Sequence, residues 1–244
     1  MGRAWIICRR ELWSAAVSPA MWAVLAAAWL LEGLLFKFTV LPLSRGDVSL
    51  IVHGAAGVWI RVQFLLAPLL CMRLLSEEKR AGTFEALMTA PVADHEVVLG
   101  KFLAVFLMHA VAALAPVVLS LLSIRFGGDP DPGQMAAAYL STLGVGSLLL
   151  ACGVFASAAC ATPVLAAFVG LVLGAALVAG PLFASLALPP DHWLVTALSY
   201  GAPLTHLEAG ASGILDVNHV AYQTLVSALF LLFGTRVLEM RKWR

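Results

Sequence analysis

The sequence predicts an all-α membrane protein with about six transmembrane helices. Of its 244 residues, 61% are hydrophobic and 12% are charged, whereas a soluble domain of this size would carry about 25% charged residues. The apolar residues form long segments separated by clusters of Gly, Pro and charged residues. The net charge of +1 gives no indication of a nucleic-acid partner. The four cysteines form no C-x-x-C pair and lie in or beside apolar stretches, which is typical of buried free thiols.

Residues 3–18 are predicted to form an amphipathic helix that lies on the membrane surface. One arc of the helical wheel is apolar and the opposite arc is polar, with Ile7 misplaced among the polar residues. Basic residues opposite a face that contains Trp and Leu are typical of interfacial helices, and Pro19 ends the helix. The apolar arc holds Trp5, Cys8, Leu12, Ala15 and Ala16, and the polar arc holds Arg3, Arg10, Glu11 and Ser14.

Six apolar segments are long enough to cross a membrane, since a bilayer core of about 30 Å needs about 20 helical residues. Residues 48–56 belong either to an outer interfacial piece or to the start of the second span. Residues 189–219 are too polar for a lipid-facing span and predict an outer loop with short helices. The spans are predicted at residues 20–41, 57–75, 96–126, 135–159, 163–188 and 220–238.

The polar segment at residues 76–94 separates the second and third spans. Its helix-breaking and helix-capping residues predict a short helix between two long ones. Gly82 ends the helix that arrives from the membrane. Thr83 caps a new helix, and Pro91 stops it. Asp94 then caps the third span, with Glu96 behind it in the first turn.

The short helix carries a small apolar face. Phe84, Leu87 and Met88 follow at i, i+3 and i+4, so they share one side of the helix. That face lies outside the bilayer, where an apolar surface needs a partner. Folding back of Phe84 onto the lipid is the alternative.

The amino-acid sequence of this segment resembles that of a known family. Met72-Arg73 is followed by Glu-Glu-Lys-Arg-Ala-Gly-Thr-Phe-Glu-Ala-Leu at residues 77–87, by Pro91, and by Gly-Lys-Phe at residues 100–102. These residues closely resemble the permease subunits of ABC-2-type transporters. Among those, the chain looks most like the gliding-motility permease and the permease that serves nitrous-oxide reductase maturation. Cys71 departs from the pattern, because relatives often carry Thr there.

The resemblance implies one ABC-2 permease domain over residues 1–244, with an elbow helix at residues 3–18 and a coupling helix that docks on a separate ATPase subunit. It implies pairing with a second copy or a related permease. ATP and Mg would be bound by the ATPase, and this chain would need no cofactor. The expected ATPase contacts are Thr83, Phe84, Glu85, Leu87, Met88, Glu78 and Arg80.

The distribution of Lys and Arg predicts a multi-pass plasma-membrane protein with both termini in the cytoplasm. In that orientation eleven basic residues lie on the inner side and four in the outer half. The inner set is Arg3, Arg9, Arg10, Arg73, Lys79, Arg80, Lys101, Arg236, Arg241, Lys242 and Arg244, and the outer set is Lys37, Arg45, Arg61 and Arg125.

The chain carries no G-x-x-x-x-G-K-[S/T] sequence, so it is not expected to hydrolyse ATP by P-loop chemistry. An intramembrane serine protease is the alternative of a different class. It depends on Gly210-Ala211-Ser212-Gly213, which matches a G-x-S-G motif, with His219 as the later histidine that would serve as base. Such small residues recur easily in a Gly- and Ala-rich chain.

The outer segment also contains His192, His206 and His219, with Asp191, Glu208 and Asp216 near them in sequence. The spacings of fourteen and thirteen residues match no metal-ligand motif. Ordinary surface histidines are therefore expected, and no metal site is predicted.

Several ionisable residues fall within the predicted spans, among them Glu32, Lys37, Arg61 and His109, and a charge there is costly and indicates a function or a partner. Lys37 is expected to extend to the outer headgroups, and His109 to bond a neighbouring helix. Glu32 and Arg61 each lie twelve residues from the inner end of their span, about 18 Å at the helical rise. This matched depth predicts an intramembrane ion pair; the alternatives are that Arg61 extends outward alone or that Glu32 pairs with Lys37.

These observations predict a permease subunit that couples ATP hydrolysis on another subunit to one of two outcomes. One outcome is export, and the scarcity of polar residues in the spans favours a lipid-like or amphipathic cargo. The other is force transmission to an extracytoplasmic partner at residues 189–219, as the gliding-type relatives suggest.

Overall fold

The computed structural model describes residues 2–44, 47–82, 92–126, 128–189 and 191–241, and every regular element in them is helical. The helices are α1 Arg3–Val17, α2 Pro19–Leu35, α3 Leu41–Ser44, α4 Val48–Cys71, α5 Ser76–Arg80, α6 Asp94–Ala112, α7 Leu114–Leu122, α8 Pro132–Ala159, α9 Pro163–Ala187, α10 Trp193–Tyr200, α11 Pro203–Ala211 and α12 Val217–Arg241. A π-helical turn, Phe36–Val40, joins α2 to α3, and a 3-10 turn, Ser123–Phe126, follows α7.

Six helical stretches of the described chain are long and apolar enough to cross a membrane, which confirms the predicted fold class. They are Pro19–Leu43, Leu50–Arg80, Asp94–Arg125, Pro132–Ala159, Pro163–Ala187 and Val217–Met240. Residues 48–56 are the start of α4. All four cysteines are free and buried, as predicted.

The fourth span, α8, lies at the centre of the bundle and packs against α4, α6, α9, α11 and α12. Small residues allow this close packing. A side chain at Gly146 would overlap the ring of His109, and one at Gly153 would overlap Cys71. The Cα of Gly153 in turn lies 3.5 Å from the position a Cβ would take at Gly170 of α9.

The third span is broken at Ala113, between α6 and α7. Pro116 has no N–H, so it cannot bond the carbonyl of Ala112 one turn earlier. The indole nitrogen of Trp29 donates to that carbonyl at 3.0 Å. A side chain of the first span thus satisfies the backbone group that the proline leaves open, as lipid surroundings require.

The N-terminal helix α1 packs against α6 through the side that holds Ile7, Cys8 and Glu11. Gly100 permits this contact, since a Cβ there would lie 2.6 Å from the carbonyl of Ala4 and 2.8 Å from Cβ of Ile7. The position of Ile7 on the polar arc therefore has a packing explanation. Trp5, assigned to the apolar arc, is 46% exposed.

We expect Gly100→Leu to separate α1 from α6. Overpacking costs about 1–3 kcal/mol, which corresponds to roughly tenfold more local opening. The buried thiol of Cys8 reports the change, and its labelling by a maleimide, followed by peptide mass spectrometry, should accelerate by about that factor. Gly33→Leu is the matched control, because a Cβ at Gly33 meets nothing within 4 Å. Unchanged protection of Cys8 in Gly100→Leu would contradict the packing.

Candidate functional site: the junction around Lys101

Lys101 lies two turns into α6, and its side chain is only 2% exposed. Its ammonium group donates to Glu11 Oε1 at 3.0 Å, to Glu78 Oε1 at 2.8 Å and to the carbonyl of Leu74 at 2.6 Å. An ammonium group has three N–H donors, so these three acceptors satisfy it fully. We call this set the Lys101 junction.

The junction joins three parts of the chain that are distant in sequence. Glu11 belongs to α1, Lys101 to the third span, and Leu74 and Glu78 to the stretch that leaves the second span. Two carboxylates around one buried cation hold these parts together strongly, because each oxygen–ammonium bond is charge-assisted.

The same stretch is also fixed to the end of α8. The hydroxyl of Ser157 accepts from the backbone N–H groups of Leu75 at 3.0 Å and Ser76 at 3.2 Å. Lys79 donates to the carbonyls of Ser157 at 3.3 Å and Cys160 at 3.3 Å, and to that of Ala158. A cation at the carbonyl end of a helix satisfies open acceptors and complements the helix dipole.

Glu78 and Lys79 are thus adjacent in sequence but bind different spans. Glu78 holds the third span through Lys101, and Lys79 holds the fourth span through its terminal carbonyls. A displacement of α5 would therefore be passed to α1, α6 and α8 together. Gly82 follows with a φ of +73°, a backbone conformation that favours glycine, and ends this rigid unit.

The predicted contacts with the ATPase are only partly described. Thr83, Phe84, Glu85, Leu87 and Met88 lie outside the described residues. Arg80 is exposed at the end of α5, and Glu78 is 18% exposed with one oxygen on Lys101. The distribution of Lys and Arg identifies Lys101 only as an inner positive charge. A lysine in an otherwise apolar stretch nevertheless indicates a partner.

Two predictions about the helix ends need correction. The helix that precedes Gly82 is the short α5, because α4 already ends at Cys71. Asp94 is the first residue of α6 and not its cap, which is Ala93. Glu96 accepts from the backbone N–H of Ala93 at 3.1 Å and so supports the start of the helix.

Glu32 and Arg61 are not joined by a hydrogen bond. Glu32 is fully buried, and neither of its oxygens has a hydrogen-bond partner among the described residues. Arg61 is exposed and donates to the carbonyl of Gly57 at 3.3 Å. The positive charge of Arg61 nevertheless acts on the carboxyl of Glu32. The matched depth thus leaves the two groups within electrostatic reach but without a hydrogen bond between them in the described residues.

The other two ionisable residues of the spans have different surroundings. Lys37 is exposed in the π-helical turn, with Nζ 5.8 Å from the ring centroid of Phe38. His109 is 1% exposed, and its ring centroid lies 6.3 Å from that of Trp59. Neither ring nitrogen of His109 has a hydrogen-bond partner at close range in the described part of the chain, but the ring faces the neighbouring α8, where the backbone of Thr142 interacts with it.

The outer histidines are held in separate roles. His192 caps α10, where its Nδ1 accepts from the N–H of Leu194 at 3.2 Å. The rings of His206 and His219 stack with centroids 4.1 Å apart. Burial lowers the pKa of His206, and its Nε2 lies 2.8 Å from the carbonyl of Tyr200. The described residues contain no group of three metal-ligand side chains.

The G-x-S-G sequence has a packing role at the end of α11. Gly210 approaches Ser141 of α8 so closely that a Cβ would lie 2.2 Å from Cβ of Ser141, and Gly213 takes a φ of +85°. The hydroxyl of Ser212 donates to the carbonyl of Glu208 at 2.9 Å. Its predicted base, His219, stacks on His206. The geometry gives Ser212 a capping contact and no nucleophile–base pair within the described residues.

The comparisons with known proteins identify the family of the chain. No curated protein matches it. The family model described as "ABC-2 family transporter protein" matches residues 17–238, which is nearly the whole chain and includes five candidate spans in full and the sixth except for its last two residues. The chain therefore belongs to the ABC-2 family transporter proteins and is a multi-pass membrane permease component of an ABC transporter.

Proposed function

We propose that this chain couples ATP hydrolysis on a separate ABC ATPase subunit to work across the plasma membrane, and that the Lys101 junction transmits the motion. One observation carries the proposal. The stretch directly before the predicted coupling helix is bonded to the buried Lys101 of α6, which also binds Glu11 of α1, and through Lys79 to the end of α8. A flexible loop would not transmit a movement of the ATPase to the spans, whereas this bonded stretch would.

The coupling would begin at the predicted helix of residues 83–89, which would dock on the ATPase through Phe84 and its neighbours. When the ATPase closes around ATP and Mg, the helix moves and carries α5 with it. Glu78 and Lys79 then pull the third and fourth spans, and Glu11 moves with Lys101. The spans tilt as a unit because their bonds to α5 are charge-assisted.

The work performed is export or force transmission. The scarcity of polar residues in the spans favours export of a lipid-like or amphipathic cargo, and the resemblance to the gliding-motility permease raises force transmission as the second version. The outer segment offers a surface for an extracytoplasmic partner, with exposed Trp193, Ile214 and Val217 at 70%, 62% and 80%. Exposed apolar side chains of this kind are typical of interaction sites.

The orientation follows from the excess of Lys and Arg on one side, which places both termini and α5 in the cytoplasm. Ala81→Cys and Ser212→Cys test it, since both positions are exposed on opposite sides of the predicted membrane. A membrane-impermeant maleimide applied to intact cells should label Ser212→Cys and spare Ala81→Cys. Labelling both or neither before cell disruption, and both after it, would contradict the orientation.

Copurification tests the central proposal. The tagged chain, extracted from its native membrane in mild detergent, should bring with it an ABC ATPase that mass spectrometry identifies by its Walker sequences. A second copy or a related permease should appear in the same complex, which size determination distinguishes. Recovery of the chain without any ATPase, from membranes in which one is expressed, would overturn the proposal.

A further inference from the structure

A wide groove runs along the outer half of the bundle, between the π-helical turn, α3, α4, α9 and α11. Its volume is about 820 Å³, within the range of about 300–1,000 Å³ of sites that hold small amphipathic molecules. Its walls are apolar and include Val40, Leu43, Val58, Phe64, Ala175 and Val178. Its charged side chains are Arg61 and Glu208.

Arg61 is the polar centre of the groove. It lies twelve residues before Arg73, about 18 Å along the helix from the inner end of the span. Its bond to the carbonyl of Gly57 uses one of five N–H donors. Glu32 makes no hydrogen bond to it, although the two charges act on each other. An arginine at this depth is costly unless an anion accompanies it.

The floor of the groove has a notch beside this guanidinium. His53, Gly57 and Arg61 follow one another at i, i+4 and i+8 on one side of α4 and all line the groove. A Cβ at Gly57 would meet nothing within 4 Å. The glycine therefore leaves open space between two side chains that can donate hydrogen bonds to an anion.

We propose that this groove binds an amphiphile with an acidic headgroup, of the phospholipid class. The headgroup phosphate occupies the notch over Gly57 and accepts from Arg61 and His53, while an acyl chain lies along the apolar walls. The carboxylate of Glu208 would repel a second negative charge on the ligand. This favours a headgroup with a single negative charge. The proposal rests on the proposed function, for which it names the class of molecule that the moving spans would act upon.

The alternative occupant is a second copy of the chain, whose Glu208 could meet Arg61. The groove favours a lipid because its apolar wall continues from α3 down to Phe64 and Leu65. A contact between two copies through one ion pair would leave most of the apolar wall uncovered. A lipid fits both features of the groove, because its charged headgroup would lie at Arg61 and its acyl chain along the apolar wall.

Lipid retention by the purified chain tests the proposal without the ATPase, so its failure is distinct from failure of the proposed function. The probes are phosphatidylglycerol and a diacylglycerol with the same acyl chains, added in detergent and quantified after gel filtration. The wild-type chain should retain more phosphatidylglycerol than diacylglycerol. Arg61→Gln should lower its retention about tenfold, the effect of losing a charged hydrogen bond, and leave diacylglycerol unchanged. Equal retention of both lipids by wild type would overturn the proposal.

A second pair of variants separates occupancy of the groove from misfolding. Gly57→Leu fills the notch and should lower retention of both lipids, whereas Gly180→Leu, also in open space but outside the lining, should lower neither. Arg125→Gln is the charge control, since Arg125 is exposed beyond α7. Normal retention by Gly57→Leu, or rapid disulfide cross-linking of two Gly57→Cys chains with no lipid retained, would show that no lipid occupies the groove.

Discussion

Replacing Lys101 by methionine is expected to destabilise the permease by about 3–5 kcal/mol, the range found when one partner of a buried ion pair is removed. Methionine keeps much of the length and volume of the side chain but removes the charge. The carboxylates of Glu11 and Glu78, each about one-fifth exposed, would then face each other without a cation. Thermal unfolding of the purified chain in detergent should show a clear fall in Tm.

The design includes a rescue. Lys101→Met combined with Glu11→Gln and Glu78→Gln removes the two stranded charges and should regain most of the lost stability. In the complex with the ATPase, the triple variant should nevertheless couple ATP hydrolysis to movement of the spans poorly, because the methionine at position 101 no longer bonds α1 or the stretch that contains residue 78. Lys37→Met is the matched control, since Lys37 is an exposed cation of the first span. A Lys101→Met chain that unfolds at the wild-type temperature would show that the junction contributes little.

Phe84→Asp is expected to release the ATPase while leaving the membrane bundle intact. The apolar face of Phe84, Leu87 and Met88 is predicted to enter a groove on the partner, where a carboxylate would lose its water without gaining a counter-charge. Central aromatic contacts of this kind are worth about 2–4 kcal/mol, so copurified ATPase should fall by at least about tenfold. The quantity of ATPase recovered per permease measures the effect.

Ala86→Asp provides the control for that experiment. Residue 86 is two positions from Phe84, so it lies on the opposite side of the predicted helix. It adds the same charge without touching the apolar face and should keep the ATPase bound. Equal recovery of ATPase with Phe84→Asp and wild type would refute docking through this face, whereas equal loss with both variants would point to a general effect of charge.

Much of the transmembrane architecture was accessible from sequence because lipid imposes a local rule. A segment that crosses the bilayer must satisfy its backbone internally and be apolar along its length, so the six spans could be located without knowledge of their neighbours. The break at Ala113 also had a sequence signal in Pro116, but its stabilisation by Trp29 depends on a contact between distant helices. Residues 48–56 were ambiguous because apolar content does not distinguish a helix start from an interfacial piece.

The side chains that meet inside the bundle were less accessible, because helical periodicity gives a direction relative to one axis only. For α1 it identified two arcs but not which of them contacts α6, and the packed side proved to include Ile7 and Glu11 from the polar arc. For Glu32 and Arg61 it gave a matched depth, yet the rotation of each helix placed Arg61 toward the groove and Glu32 in the core.

The sequence by itself determined the all-α fold class, the number of spans, and the segment at residues 76–94 whose residues resemble those of ABC-2 permeases. These depend on composition, length and local order, which a single chain segment carries. Only the tertiary structure decided that Lys101 is the centre of a three-way junction and that Arg61 lines an apolar groove. Both depend on how helices rotate and approach one another, and small residues such as Gly100 and Gly146 permit that approach, although the sequence does not show which helix each of them contacts.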